Sequence, residues 1–171
     1  GVQTCALPIC AQGGTVHHIS FSADGKYLVS SCGDNMVKVW DVAGQKELKA
    51  LKGSKDMVTA ALFSQDATKV YSIGFDRHVR VWDIAKGAEI AAYGPTADDL
   101  FAIALSKDGK TLATSGYAGN ITLWNLSTGK SQGQKKIKFG PYCLMFSPDE
   151  TYVVSGHDNH SIYLTALKEL K

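Results

Sequence analysis

Trp40, Trp82 and Trp124 stand 42 residues apart, each closing a run of one pattern: Val-Lys-Val-Trp-Asp, Val-Arg-Val-Trp-Asp and Ile-Thr-Leu-Trp-Asn. A period of that length means one supersecondary unit repeated, and it governs the fold more than any local signal. Nineteen residues before each Trp is a large apolar residue followed by Ser, namely Phe21, Phe63 and Leu105. A fourth copy starts at Phe146, and its Trp position falls on Thr165. Within each unit the apolar residues alternate with period two, which predicts short strands rather than helices. The first strand ends in Ser22-Ala23-Asp24-Gly25, and Asp66, Asp108 and Asp149 hold the place of Asp24 in the other copies. Asp suits a tight turn because its carboxylate bonds its own backbone two residues on. A second strand runs through Tyr27–Val29 and a third through Val37, Val39 and Trp40. Gly44, with counterparts Gly87 and Gly129, then leads to a polar fourth strand near Glu47–Leu51, Glu89–Tyr93 and Lys135–Lys138. Nothing reads as a helix.

The 171 residues carry 18 Lys plus Arg against 16 Asp plus Glu, and 44% are hydrophobic. That is ordinary globular composition. A near-balanced charge without basic blocks gives no footprint for nucleic acid, and no stretch approaches the roughly 18 apolar residues of a membrane span. The cysteines, Cys5, Cys10, Cys32 and Cys143, form none of the close pairs of zinc, haem or redox motifs. Cys32 and Cys143 lie in apolar strand-like runs and read as small buried hydrophobes from a reducing compartment. This favours the cytoplasm, with the periplasm open to a chain whose missing N-terminus carries a signal.

Four-strand units of about 42 residues with Trp-Asp closing the third strand resemble the WD40 repeat, the blade of a β-propeller. The resemblance runs from about Gly14 to Leu170. It implies an all-β propeller with four blades of four-stranded antiparallel sheet at about 14–53, 54–94, 95–136 and 137–171. It also implies a hydrogen-bonded set of His, Ser or Thr, Asp and Trp in each blade. By position the hydroxyl falls on Ser30, Ser72, Thr114 and Ser155, and the Asp on Asp34 and Asp76. The family's Gly-His is Gly53-Ser54 before the second unit, and the Asp place holds Ala118 and Asn159 in the third and fourth, so no complete set is expected. The chain stops after the third strand of its fourth unit, a strand order that in this family points to ring closure by residues from the start of the propeller. Seven blades is the family's usual count, so the expected object is an incomplete part of a seven-bladed ring. An open arc exposes an apolar blade face and should associate. Residues 1–10 match no part of the repeat, begin with Gly, and resemble translated sequencing-adapter read-through. They are expected to be a non-native leader without a role in the fold.

Candidate chemistry is sparse. His17-His18 are neighbours on a strand, so their rings point to opposite faces. His157-Asp158-Asn159-His160 has ligand-type side chains, but the equivalent loops add no His, and turn chemistry accounts for the run without metal. No nucleophile elbow or phosphate-binding glycine loop is present. The four turn aspartates lie on different blades and read as structural, and Lys135, Lys136 and Lys138 as a solvated edge. No cofactor, metal, small-molecule substrate, nucleic acid or membrane partner is expected. Phe75 and Tyr117 occupy one position in successive blades, on the face where propeller loops meet partners. With Met57 they are the candidate anchor for a protein or peptide. The expected function is a non-catalytic interaction scaffold. The alternative is the C-terminal propeller of a larger bacterial enzyme or redox protein, such as a kinase or c-type cytochrome fusion.

Overall fold

The computed structural model describes residues 13–138 and 140–170. The expectation for residues 1–10 therefore lies outside the described residues. The architecture is an all-β propeller of four blades. The first blade is β1 (Val16–Phe21), β2 (Tyr27–Cys32), β3 (Met36–Asp41) and β4 (Lys46–Lys52), antiparallel and adjacent in chain order. The second is β5 (Val58–Phe63), β6 (Lys69–Gly74), β7 (Val79–Asp83) and β8 (Ala88–Tyr93). The third is β9 (Leu100–Leu105), β10 (Thr111–Gly116), β11 (Asn120–Asn125) and β12 (Lys130–Lys136). The fourth has three strands rather than four: β13 (Pro141–Phe146), β14 (Tyr152–His157) and β15 (Ile162–Ala166), then a single 3-10 turn over Leu167–Glu169.

The fourth strands depart most from expectation. β12 begins five residues before the predicted Lys135, because Lys-Ser-Gln-Gly-Gln-Lys-Lys has no apolar alternation to mark it. Its register comes from pairing with the third strand, Trp124 opposite Ser131. An irregularity falls just before the Trp in all three such pairings, at Val39/Trp40, Val81/Trp82 and Leu123/Trp124. A bulge there re-aims the indole that follows it. After the third strand of the first blade the left-handed residue is Gln45, φ 50°, in line with Gly87 and Gly129, so Gly44 is not their counterpart.

The turn aspartates behave alike. Ser22, Ser64, Ser106 and Ser147 donate their hydroxyls to Asp24, Asp66, Asp108 and Asp149 at 2.6–2.7 Å. Each carboxylate also accepts the backbone N–H two residues on, from Lys26, Thr68, Lys110 and Thr151. The Ser hydroxyl comes first among the contacts that hold all four below the usual carboxylate range, and Asp66 is brought down to about 2. A depressed native pKa stabilises the fold above the unfolded value of about 4, and this contribution is lost as pH falls through the native one. The melting temperature should therefore drop between about pH 4 and pH 2, and Asp66→Asn should flatten that drop. An unchanged profile in acid thermal melts would remove this role from Asp66.

The core lies between blades. Val29, Val37, Val39 and Leu51 of the first pack against Ala61, Phe63, Val70 and Trp82 of the second. Tyr71, Val79 and Val81 of the second meet Ile103, Leu112 and Trp124 of the third. At the last junction Thr165 stands where the others have Trp, and Leu170, just past the 3-10 turn, is buried against Ile121 and Leu123. These stand where Val37 and Val39 face Trp82, so Leu170 supplies the volume of the lost indole. Cys32 is buried as expected, but Cys143 is exposed, because among the described residues no blade packs on the side of the fourth blade that carries it.

Candidate interaction face

Each indole is fixed from within its own blade. Trp40 Nε1 donates to Ser30 Oγ at 2.9 Å, Trp82 Nε1 to Ser72 Oγ at 2.8 Å, and Trp124 Nε1 to Thr114 Oγ1 at 2.9 Å. In the fourth blade Ser155 Oγ shares a 2.7 Å hydrogen bond with Nε2 of His157, itself buried and edge-on to Tyr163. His157 thus replaces the missing indole as the hydroxyl's partner, a part that turn chemistry did not suggest.

The Asp place secures the loop between second and third strands. Asp34 accepts the backbone N–H groups of Gly13 and Met36. Asp76 accepts from Ser54 Oγ at 3.0 Å, from Lys55 N and from His78 N, while Arg80 Nε and Nη2 both reach its Oδ2 at 2.7 Å. Arg80 Nη1 also pairs with Glu89. Burial pushes the Asp76 carboxyl up, but the hydrogen bonds from Arg80 and Ser54 and the Arg80 charge outweigh it, leaving the pKa below its ordinary value. In the third blade, where the place holds Ala118, the carboxylate comes from another loop: Asp98 accepts from Ala118 N and from Asn120 Nδ2. Asn159 in the fourth accepts from Ser161 N, and its Nδ2 donates to Tyr163 OH at 3.5 Å.

These anchored loops carry the aromatic residues. Phe75 N–H donates to the Met57 carbonyl, so the two are neighbours through the backbone. Phe75 and Tyr117 do not touch directly; Phe101 lies between them, its ring centroid 5.2 Å from Phe75 and 5.8 Å from Tyr117. Tyr142 meets Phe101 edge-on at 6.0 Å. Phe75, Phe101 and Met57 are half-buried, whereas Tyr117 and Tyr142 are 68% and 57% exposed. Between Phe101, Tyr117 and Tyr142 is a cleft of about 190 Å³, whose rim includes Lys138 and Asp158. Sequence reasoning missed Phe101 and Tyr142, although both fill the second position of an inner strand, where the first two blades have His17 and Thr59. Lys138 lies past the end of β12 at this cleft, not on the outer strand, and Lys135 pairs with Glu169.

Among the described residues no group of three or more His, Cys, Asp or Glu is placed to hold a metal ion, and no helix is long and apolar enough to cross a membrane. Blades of this register, with indoles held by buried hydrogen bonds, loops tied by carboxylates and aromatics on one face, define a β-propeller repeat protein. The chain belongs to the WD40 family: the WD domain, G-beta repeat, matches residues 4–41, 45–83, 89–125 and 133–164. The second to fourth matched stretches each begin at or within the outer strand of one blade, the second one residue ahead of it, and end in the third strand of the next. A curated relative, the nuclear distribution protein nudF of Aspergillus niger, is 33% identical over 60 residues. That stretch is 35% of this chain and 14% of nudF. WD40 propellers are generally protein- or peptide-binding modules.

Proposed function

We propose that this chain is a non-catalytic scaffold whose loop face, built on Met57, Phe75 and Tyr117 and extended by Phe101 and Tyr142, receives a protein or peptide partner. One observation carries the reading: a continuous aromatic run crosses three blades and ends in two largely exposed tyrosines. Aromatics of this kind, amphipathic and held by a rigid frame, are what interface hot spots are made of. The frame is rigid because the loops are anchored by Asp34, Asp76 and Asp98, so binding need not order them first.

Replacing Phe75 and Tyr117 together with Ala should weaken capture of a partner at least about tenfold, roughly 1.4 kcal/mol, at little cost in stability. Quantitative pull-down from the host checks it, with Lys130→Glu and Lys136→Glu as the edge control, since Lys138 lines the cleft. Loss of partners in the edge variant alone would move the site to the blade rim.

A further inference from the structure

The third blade lacks a charged pair that the first two share. Two residues before each Trp stand Lys38, Arg80 and Thr122, and opposite each Trp on the outer strand stand Glu47, Glu89 and Ser131. In the first blade Lys38 Nζ pairs with Glu47 at 2.9 Å and lies 5.5 Å from the centre of the Trp40 ring. In the second, Arg80 is buried between Asp76 and Glu89. In the third there is a cleft of about 220 Å³, lined by Asp98, Asn120, Thr122, Trp124, Ser131 and Gln134. Thr122, Trp124, Ser131 and Gln134 hold the positions of Arg80, Trp82, Glu89 and Ala92, so the cleft lies where the second blade keeps its guanidinium. Asp98 meanwhile ties the loop as Asp76 does, through Ala118 N and Asn120 Nδ2. Arg80 neutralises Asp76, whereas among the described residues no Lys or Arg pairs with Asp98. Asp98 is half-buried, where attraction to a cation is less screened than in bulk water.

We infer that this cleft binds a guanidinium group from outside the chain, the head of an arginine side chain or of a free alkylguanidine. The bound head takes the part that Arg80 plays in the second blade, donating to the Asp98 carboxylate and stacking on Trp124. Three features select it. One carboxylate calls for one positive charge. The oxygens of Asp98, Thr122, Ser131 and Gln134 set acceptors around a single space, which suits a planar group that only donates. The Trp124 ring offers the kind of face over which Lys38 already lies in the first blade, and a weakly hydrated planar cation stacks there better than an ammonium. The cleft shares no residue with the one beside Tyr117 and Tyr142, so the two sites can fail separately.

The other blades supply the controls. In an NMR titration of the isotope-labelled chain with methylguanidinium, the Trp124 indole N–H signal should shift saturably, with a Kd in the millimolar range expected of so small a ligand. The Trp40 and Trp82 signals should stay, because Lys38 and Arg80 already fill their places. Asp98→Asn keeps an acceptor for Ala118 N and removes the charge, and should raise the Kd at least about tenfold. Thr122→Arg with Gln134→Ala copies the second blade at both positions. It should abolish the titration and raise the melting temperature by about 2–4 °C over Gln134→Ala alone, a gain that Asp98→Asn cancels. A blocked arginine tripeptide separates the sources: tighter binding than methylguanidinium assigns the cleft to an arginine of a partner chain, equal or weaker binding to a free alkylguanidine. No saturable shift at Trp124, equal shifts at all three indoles, or an unchanged Kd in Asp98→Asn would overturn the site. So would a Thr122→Arg, Gln134→Ala chain that still titrates or melts lower than Gln134→Ala.

Discussion

Replacing Trp82 with alanine is expected to lower the free energy of unfolding by about 3–5 kcal/mol, the range for emptying a core of a large aromatic. The indole is fully buried between the first two blades, against Val37, Val39 and Leu51, and its N–H is bound to Ser72. Two losses combine: the apolar contact that joins the blades, and the partner of a buried hydroxyl. Trp82→Phe separates them, since it keeps most of the volume and strands Ser72, and should cost about 1–3 kcal/mol. Denaturant melts of the three proteins measure both steps. An alanine effect below about 1 kcal/mol would mean that Trp82 does not hold this junction.

Asp76→Ala should be nearly as damaging, at about 3 kcal/mol, for a different reason. The Asp76 and Arg80 side chains are only 4% and 7% exposed, and removing one partner leaves a buried charge short of its counterion. Glu89 remains on Arg80 and limits the loss. The change also releases Ser54, Lys55 and the His78 amide, so the loop beneath Phe75 should loosen. Asp76→Ala with Arg80→Leu should be less destabilised than Asp76→Ala alone, because the orphaned guanidinium is gone. If the double variant is instead the worse of the two, the pair acts through packing rather than charge.

What could be read from the sequence is whatever repeats in register. The Trp and hydroxyl pairs, Trp40 with Ser30, Trp82 with Ser72 and Trp124 with Thr114, follow from spacing, since antiparallel pairing fixes which residues lie ten apart across a hairpin. The Ser and Asp turns follow from local chemistry alone. Substitutes for missing members escape such reading, because they come from outside the repeat column. Asp98 reaches the Ala118 loop from the segment before β9, Leu170 folds back from beyond β15, and His157 fills a hydrogen bond vacated by a residue eight positions later. The aromatic run was half legible: Phe75 and Tyr117 share a column, whereas Phe101 links them only because the inner strand of the third blade stands between their loops.

Each hydrophobic cluster is shared by two neighbouring blades only, which makes the molecule a linear series with coupling between nearest neighbours. Among the described residues, the second and third blades share a hydrophobic cluster on both sides, the first and fourth on one. Local opening should therefore start at the ends, and in dilute solution the amides of β6 and β10 should resist hydrogen exchange longer than those of β2 and β14.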